Sequence, residues 1–458
     1  MFIDWRRFST WQAKTFMIAE KEAVQAVNPD LKVTANLMER FWDYDYFDLA
    51  EGMDVVSWDS YPMWHSGDDV SRAAEFAMNH DMMRSLKDQP FLLMESTPSQ
   101  VNWKPVNKLK RPGMHLLSSM QALAHGSESV MYFQWRKGRG AAEQFHGAVV
   151  DHDGRSDTRV FRDVTRVGQA LENLAPLYGK EKQPARACII YDWSNWWAID
   201  YAQTGQNQNM KYFDTVNMHY RSLWQLGVNV DFRDERDCTN LSRYQLVICP
   251  MLFMLKESFA QKLRAFVENG GTLVMTYFSG VVDETGNAWL GGAPHNLIDV
   301  LGVRATELDA IFPEDVQALI TNDGRRFAIT ELCEIPEMHG ADALGVYAED
   351  FYGGMPCLTK HAFGKGVAYY LAAKVEQAAL DAIYGDIAAA LALPRALADA
   401  LPGGIIATER GGAVFLQNFS GKMQTVTLAD KYTDLLTGNR ISGAFEMAVN
   451  CVMVLQKA

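Results

Sequence analysis

Residues 91–105 read FLLMESTPSQVNWKP. Four apolar residues lead straight into one carboxylate, Glu95, and the chain then turns through Ser, Thr and Pro. An unbroken apolar run is typical of a strand that is buried on both faces, as in a parallel sheet. Eight residues after the acid, Trp103 lies in an otherwise polar loop. The stretch predicts a buried strand that ends on a partly desolvated glutamate, which is costly unless the carboxylate is used.

Similar strands occur on both sides of this one. Up to about residue 175 the pattern alternates strand and helix, and each predicted strand ends in polar or aromatic residues. The four strands are 33–38, 54–62, 90–96 and 129–135, and their ends carry Asn36, Asp59 with Tyr61, Glu95, and Gln134 with Trp135. A (β/α)8 barrel carries its chemistry at these strand ends, so the pattern predicts half of such a barrel. An open doubly wound sheet would need a Gly-rich phosphate loop, which the sequence lacks.

Two further regions complete the predicted organisation, an α/β protein with domains at 1–178, 183–397 and 402–458. The second domain alternates strands and helices and resembles a flavodoxin-like or glutamine-amidotransferase-like sandwich. Its strand-to-helix elbow, TYFSG (276–280), has no cysteine, so an amidotransferase activity is disfavoured. The third region has short alternating strands with Gly turns, which predict a small antiparallel β-sandwich domain.

Composition excludes several classes of function. The net charge of -13 argues against a nucleic-acid partner, because phosphate binding needs basic surface. No apolar run approaches the roughly 20 residues of a membrane span. The 6 cysteines lack the spacing of zinc or redox motifs, so we expect reduced thiols, a cytoplasmic protein, and neither metal nor cofactor. The 12 tryptophans fit sugar-binding surfaces or core packing.

The strand-end residues suit glycoside hydrolysis, which uses two carboxyl groups flanking the scissile bond. Glu95 is the candidate nucleophile, or else a salt-bridged residue that closes a loop. Trp103 could stack on a sugar or anchor its loop, and the Tyr61 hydroxyl could bond the nucleophile or pack in a turn. Glu143 and His146, three residues apart in EQFHG, could face one direction and hold adjacent hydroxyls, or form a surface turn.

Several spaced motifs occur in an order that resembles bacterial β-galactosidases of glycoside hydrolase family 42, over essentially the whole chain. These motifs are WRRFS (5–9), VTANLM (33–38), VSWDSYP (56–62), MESTPSQVNW (94–103) and YFQWRKGRGAAEQFHGAVV (132–150). The resemblance implies a catalytic barrel, an α/β trimerisation domain and a small β domain, in the order deduced above.

The resemblance also implies a site and an assembly. Glu95 would be the nucleophile of a retaining mechanism, and Trp103, Glu143 and His146 would contact the galactose, with Tyr61 beside them. A homotrimer is implied, in which the neighbouring subunit helps to shape each active site. The tryptophans of WSNWWAIDY (193–201) would then face a partner subunit, or alternatively pack within their domain.

Members of that family begin well upstream of this sequence. We therefore expect a truncated chain whose four strands are barrel strands five to eight. The first half of the barrel, the acid/base glutamate and a cysteine zinc site would be absent. Glu39 and Asp59 are the nearest substitutes for the acid, but neither matches its position in the family. General-acid assistance contributes ~10²–10⁴-fold, so we expect weak or no activity. The alternative is a non-catalytic remnant that acts as an oligomerisation module.

Overall fold

The structure is a computed structural model that describes residues 1–39, 41–65, 67–202, 208–236 and 241–458. Its first region alternates helices and strands, as the sequence predicts. The elements are α1 (Phe2–Val27), β1 (Asn36–Leu37), α2 (Tyr46–Ala50), β2 (Ser57–Asp59), α3 (Asp69–Ser85), β3 (Phe91–Glu95), α4 (Met114–Ala124), β4 (Ser127–Val130) and α5 (Arg159–Asn173).

The four strands of this region form one parallel sheet in the order β1-β2-β3-β4, as far as the described residues show. Asp59 at the end of β2 pairs with Glu95 at the end of β3. Because the strands are parallel, both carboxylates lie at the same edge of the sheet. The prediction that these strands run parallel is confirmed. The interpretation as half of a barrel stays a prediction.

Helix α1 begins at Phe2, close to the start of the sequence. The WRRFS motif therefore lies on the helix. Ion pairs attach α1 to the segments around α2, with Lys14 bonding Asp48 at 2.5 Å and Lys21 bonding Asp54 at 2.6 Å.

The middle region contains an eleven-stranded mixed sheet, in the parts of the chain that are described. Its elements are β5 (Ala187–Ile190), α6 (Trp193–Tyr201), α7 (Tyr212–Gln225), β6 (Val230–Arg233), β7 (Leu246–Cys249), α8 (Glu257–Glu268), β8 (Thr272–Thr276), α9 (Ile298–Leu301), β9 (Val303–Ala310), β10 (Gln317–Thr321), β11 (Arg326–Met338), β12 (Asp342–Tyr347), β13 (Pro356–Phe363), β14 (Gly366–Leu371), β15 (Ala373–Val375) and α10 (Gln377–Ala390). Strands β14-β8-β7-β5-β6 run parallel, as predicted. The antiparallel extension β9 to β13 was not predicted.

The last region forms one antiparallel sheet of five strands within the continuously described stretch 241–458. Its strands are β16 (Ile405–Arg410), β17 (Ala413–Asn418), β18 (Gln424–Asp434), β19 (Arg440–Met447) and β20 (Val452–Lys457). Pairing is continuous in the order β16-β17-β20-β18-β19. The predicted small antiparallel β domain is confirmed: every strand pairs within one sheet, which packs on α4, and the interpretation as a sandwich stays a prediction.

Two tryptophans of α6 pack inside the chain. The indole nitrogen of Trp193 donates to the carbonyl of Phe41 at 3.0 Å, and that of Trp197 to the carbonyl of Trp42 at 2.6 Å. Both side chains are buried. The prediction that they face a partner subunit is wrong, because their donors are satisfied by the loop before α2.

The five cysteines in the described parts are free thiols, and Cys238 lies outside those parts. Searching the described helices for a long, apolar segment of membrane-spanning character finds none.

Candidate active site

Glu95 and Tyr61 meet at the carboxyl end of the parallel sheet. The Tyr61 hydroxyl donates to Glu95 Oε2 at 2.6 Å, and the Ser60 amide donates to the Glu95 carbonyl at 2.9 Å. Burial, together with the neighbouring carboxylate, raises the pKa of Tyr61 well above its usual value. The hydroxyl therefore stays protonated and serves as a fixed donor to the carboxylate.

Asn36, at the start of β1, joins two carboxylates. Its side-chain nitrogen donates to Asp59 Oδ2 at 2.7 Å and lies 3.4 Å from Glu95 Oε1. Burial, and then the charge of Glu95, raise the pKa of Asp59 to about 6, although the Asn36 bond opposes the rise. One amide nitrogen thus contacts both carboxylates, and the role of Asp59 as a substitute for the acid stays a prediction.

Asp59 makes stability depend on pH. In the unfolded chain its carboxyl titrates near pH 4, whereas in the folded protein the pKa is about 6. Between these two pH values the folded state binds more protons at Asp59 than the unfolded state does. The contribution of Asp59 to stability is therefore most favourable below about pH 4 and is lost as the pH rises to about 6.

Replacing Asp59 by asparagine removes this titration. We expect the unfolding midpoint of Asp59→Asn, relative to wild type, to be higher at pH 7.5 than at pH 5. Thermal unfolding of both proteins at the two pH values measures the difference. If the unfolding midpoints of the variant and the wild type differ by the same amount at both pH values, the raised pKa of Asp59 is contradicted.

Trp103 lies beside Tyr61 on the solvent side of the site. Its side chain is 47% exposed, and the two rings meet edge to face with centroids 5.6 Å apart. The ammonium of Lys104 lies 4.8 Å from the Trp103 ring centroid. The side-chain nitrogen of Asn102 donates to the carbonyl of Ala142 at 2.7 Å, which attaches this loop to the segment that carries His146.

His146 is a buried imidazole whose two nitrogens have no hydrogen-bond partner among the described residues. Its residue is only 1% exposed, and its ring lies 5.8 Å from that of Tyr61 and 5.1 Å from that of Phe133, edge to face with both. Burial lowers the pKa of His146, with Glu95 opposing, so the ring is neutral at pH 7. Buried polar atoms normally have partners, so these nitrogens mark a place for a ligand.

Glu143 lies in the same segment but is exposed. The His146 amide donates to the Glu143 carbonyl at 3.0 Å, so a turn connects the two residues. The segment forms a turn rather than a helix, and of the two side chains only His146 is buried, so the interpretation that both face one direction stays a prediction. Glu143 is still close enough to Tyr61 to help raise the pKa of its hydroxyl.

Gly147 lets the His146 segment approach the loop after β3. Its amide donates to the Gln100 carbonyl at 2.7 Å, and a β-carbon there would lie 2.6 Å from that oxygen and 2.8 Å from Thr97 Oγ1. These contacts are too short for any side chain. Glycine is needed here for space rather than for an unusual backbone angle.

We expect Gly147→Ala to destabilise the protein by about 1–3 kcal/mol, the usual cost of overpacking, and to raise KM by displacing His146. Gly140→Ala is the matched control, because a β-carbon there meets nothing within 4 Å. Denaturant unfolding and substrate kinetics compare the two variants. Equal behaviour of both would show that the close approach has no role.

Sequence reasoning missed two contributors to the site. Asn36 was noted only as a polar strand end, and its bonds depend on the alignment of β1 with its neighbours. Lys110 is buried, donates to the Thr97 carbonyl at 2.5 Å and has its pKa lowered by burial to about 7. It lies near enough to His146 to help lower the pKa of the imidazole.

The sequence-predicted residues Tyr61, Glu95, Trp103, Glu143 and His146 thus lie around one point at the carboxyl end of the sheet, and their roles stay predictions. In the described parts of the chain no group of three or more metal-ligating side chains occurs. A parallel α/β sheet that brings a carboxylate, a tyrosine donor, an exposed indole and an unpartnered imidazole to the carboxyl ends of its strands suits the chemistry of a glycosidase.

Comparison with known proteins identifies the family. Residues 1–174 match the family model described as beta-galactosidase, residues 185–394 match the beta-galactosidase trimerisation domain, and residues 404–457 match the beta-galactosidase C-terminal domain. The chain therefore belongs to glycoside hydrolase family 42.

Relatives and solved structures agree over nearly the whole chain. Beta-galactosidase BglY of Alicyclobacillus acidocaldarius is 44% identical over 99% of this chain and 67% of the relative. Beta-galactosidase Pbg of Clostridium perfringens is 41% identical over 99% of this chain and 68% of the relative. The crystal structure of the cold-adapted beta-galactosidase from Rahnella sp. R3 is 44% identical, with a TM-score of 0.96 over 100% of this chain and 68% of that structure.

The expected truncation is not supported by the catalytic-domain model, which matches from residue 1. The alignment with BglY takes in 99% of this chain and 67% of the relative. The weak activity expected from a truncation stays a prediction.

Proposed function

We propose that the protein is a retaining β-galactosidase in which Glu95 is the nucleophile. The hydrogen bond of 2.6 Å from the Tyr61 hydroxyl to Glu95 Oε2 carries this proposal. It fixes one carboxylate oxygen at the edge of the sheet where barrel enzymes place their chemistry. The relatives named above, which are called beta-galactosidases, support the choice of substrate.

The Glu95 carboxylate attacks the anomeric carbon of the galactoside. A bond forms between a Glu95 oxygen and C1 as the bond from C1 to the aglycone oxygen breaks, and the electron pair leaves with the aglycone. Water then attacks C1, the bond from C1 to Glu95 breaks and restores the carboxylate, and the proton lost by the water balances the aglycone oxyanion. Tyr61 and Asn36 hold the carboxylate in place, one on each oxygen.

Sugar recognition falls to the groups around this centre. One ring nitrogen of His146 donates a hydrogen bond to a sugar hydroxyl, and the other accepts one from a second hydroxyl. These bonds give partners to a buried ring whose nitrogens have none among the described residues. The exposed Trp103 ring stacks on the apolar face of the galactose. Glu143 accepts from a further hydroxyl at the open side of the site.

We also propose that the catalytic sheet is an arc of a (β/α)8 barrel and corresponds to its strands five to eight. Four consecutive parallel strands with the site at their carboxyl ends support this assignment.

Hydrolysis of 2,4-dinitrophenyl β-D-galactoside tests the proposal, because this leaving group departs without protonation and reports on the nucleophile alone. We expect release of dinitrophenol with saturation kinetics, and much slower release from the β-D-glucoside, which differs only at C4. Equal rates for both sugars, or rates equal to those of buffer, would contradict the proposed function.

We also propose a homotrimer, supported by the match of residues 185–394 to the trimerisation domain. Apolar side chains of that region are exposed in the single chain, namely Leu290, Phe312, Val316 and Phe351. Exposed apolar surface of this kind commonly marks an interface between subunits. We expect light scattering to give about three times the chain mass of 51.5 kDa. A monomer mass at micromolar concentration would count against the trimer.

A further inference from the structure

A cavity of about 280 Å³ lies between the catalytic region and the middle domain. Pro90 and Gly126 line it, and they precede β3 and β4, whereas Glu95 ends β3. At about 3.3 Å per residue, the strand separates the cavity from Glu95 by roughly 15 Å. We call it the basal cavity, and it is distinct from the candidate active site.

The basal cavity is rich in basic side chains although the protein is acidic. Its charged lining residues are five basic ones against three acidic ones, in a chain of net charge -13. The basic residues are Arg84, Lys180, Lys182, Arg186 and Arg243, and the acidic ones are Asp88, Glu181 and Asp231.

The buried carboxylates at the cavity are shared among several cations. Asp231 is contacted by Arg84 at 2.9 Å, Arg243 at 2.8 Å and Arg233 at 3.5 Å. The Tyr244 hydroxyl also donates to Asp231, at 2.9 Å. Asp88 also pairs with Arg233 and, at 3.3 Å, with Arg243, so two carboxylates serve these three guanidinium groups. Burial of such charges is costly unless they are fully compensated.

Lys182 and Arg84 share a second carboxylate. Asp81 lies 2.8 Å from the ammonium of Lys182 and 3.4 Å from the guanidinium of Arg84. The side chains of Lys182 and Asp81 are each only 3% exposed, so water is largely excluded from the ammonium of Lys182.

Two cations at the mouth of the cavity have no carboxylate partner in the described parts of the chain. One guanidinium nitrogen of Arg186 donates a hydrogen bond to the carbonyl of Arg243 at 3.0 Å. The other guanidinium nitrogens contact no carboxylate of the described residues. Lys180 is exposed, and its ammonium makes no ion pair with a described residue. These donors are available to an anion that enters the cavity.

We propose that the basal cavity binds a small anion bearing a phosphate group, either inorganic phosphate or a sugar phosphate. The planar guanidinium of Arg186 can donate two parallel hydrogen bonds to a phosphate, and the ammonium of Lys180 adds a second positive charge. The volume suits a ligand of this size. Arg84 comes from the last turn of α3 and Asp88 from the turn after it, while Arg186 and Arg243 come from the middle domain. Binding therefore joins the two regions and stabilises the folded state.

Calorimetric titration of the full chain with inorganic phosphate and with glucose 6-phosphate tests the proposal, alongside thermal unfolding in each. We expect saturable binding and a raised unfolding midpoint, with no such effect of sodium chloride at matched ionic strength. Tighter binding of glucose 6-phosphate assigns the cavity to sugar phosphates, and equal binding assigns it to phosphate itself.

The double variant Arg186→Ala, Lys180→Ala removes two exposed side chains, and far-ultraviolet circular dichroism checks that it folds. We expect its affinity for phosphate to fall about tenfold or more. Lys422→Ala, an exposed lysine of the last region, is the matched control for loss of charge and keeps wild-type affinity. No binding at millimolar phosphate, an equal effect of chloride, or an unchanged affinity of the double variant would overturn the proposal.

Discussion

Replacing Glu95 by glutamine is expected to lower kcat/KM for galactosides by ~10⁴–10⁶-fold, the range seen when an enzyme loses a group of its covalent catalytic unit. Glutamine has nearly the shape of glutamate, and its single carbonyl oxygen can still accept one of the two hydrogen bonds that Tyr61 and Asn36 donate to Glu95. It cannot, however, form the ester with C1. The protein should therefore fold as the wild type does and lose only turnover.

Steady-state hydrolysis of 2,4-dinitrophenyl β-D-galactoside measures this loss, and thermal unfolding verifies the fold. Glu284→Gln, an exposed acid of the middle domain, is the matched control and should keep full activity. Azide added to Glu95→Ala provides a second readout, because a small nucleophile in the vacated space restores turnover and gives galactosyl azide. Residual activity of Glu95→Gln within tenfold of wild type would mean that another group attacks the sugar.

The change Tyr61→Phe should have the second-largest effect, a fall in kcat of about 10²–10³-fold, comparable with the loss of one fixed donor at a charged reacting group. The variant keeps the ring contacts with Trp103 and His146 at 5.6 and 5.8 Å and loses only the bond to Glu95. The carboxylate then rotates more freely and is no longer aimed by a donor with a fixed position.

KM separates this positioning effect from sugar binding. We expect KM of Tyr61→Phe to change little while kcat falls, because the hydroxyl is bonded to the nucleophile. Tyr132→Phe is the control, since its hydroxyl lies 3.1 Å from His115 and makes no described bond to Glu95. A rise in KM with unchanged kcat would assign the Tyr61 hydroxyl to the sugar instead.

Much of the fold could be predicted because buried parallel strands need apolar residues on both faces. FLLME therefore stands out in the sequence as a strand, and β3 occupies 91–95. The antiparallel strands of 303–363 could not be predicted in this way. They carry many exposed residues, and β11 pairs with three different strands with shifts of register that leave no simple pattern.

The residues of the candidate site could be predicted from the sequence, but the contacts between them could not. Strand-end position brought Tyr61 and Glu95 together, since neighbouring parallel strands end at one edge. The bonds of Asn36 depend on the alignment of three strands, which a single sequence does not specify. The segment that carries Glu143 and His146 is an irregular turn, where Ala141 adopts a φ of 67° that spacing rules do not anticipate.

Trapping with 2,4-dinitrophenyl 2-deoxy-2-fluoro-β-D-galactoside tests the central claim, that Glu95 forms the covalent bond to the sugar, most directly. The fluorine slows hydrolysis of the glycosyl-enzyme, so the adduct accumulates and can be located by mass spectrometry of proteolytic peptides. We predict one fluorogalactosyl group per chain, on the peptide that contains Glu95, and none on Glu95→Gln. Labelling of Asp59, Glu143 or any other carboxylate, with Glu95 unmodified, would contradict it.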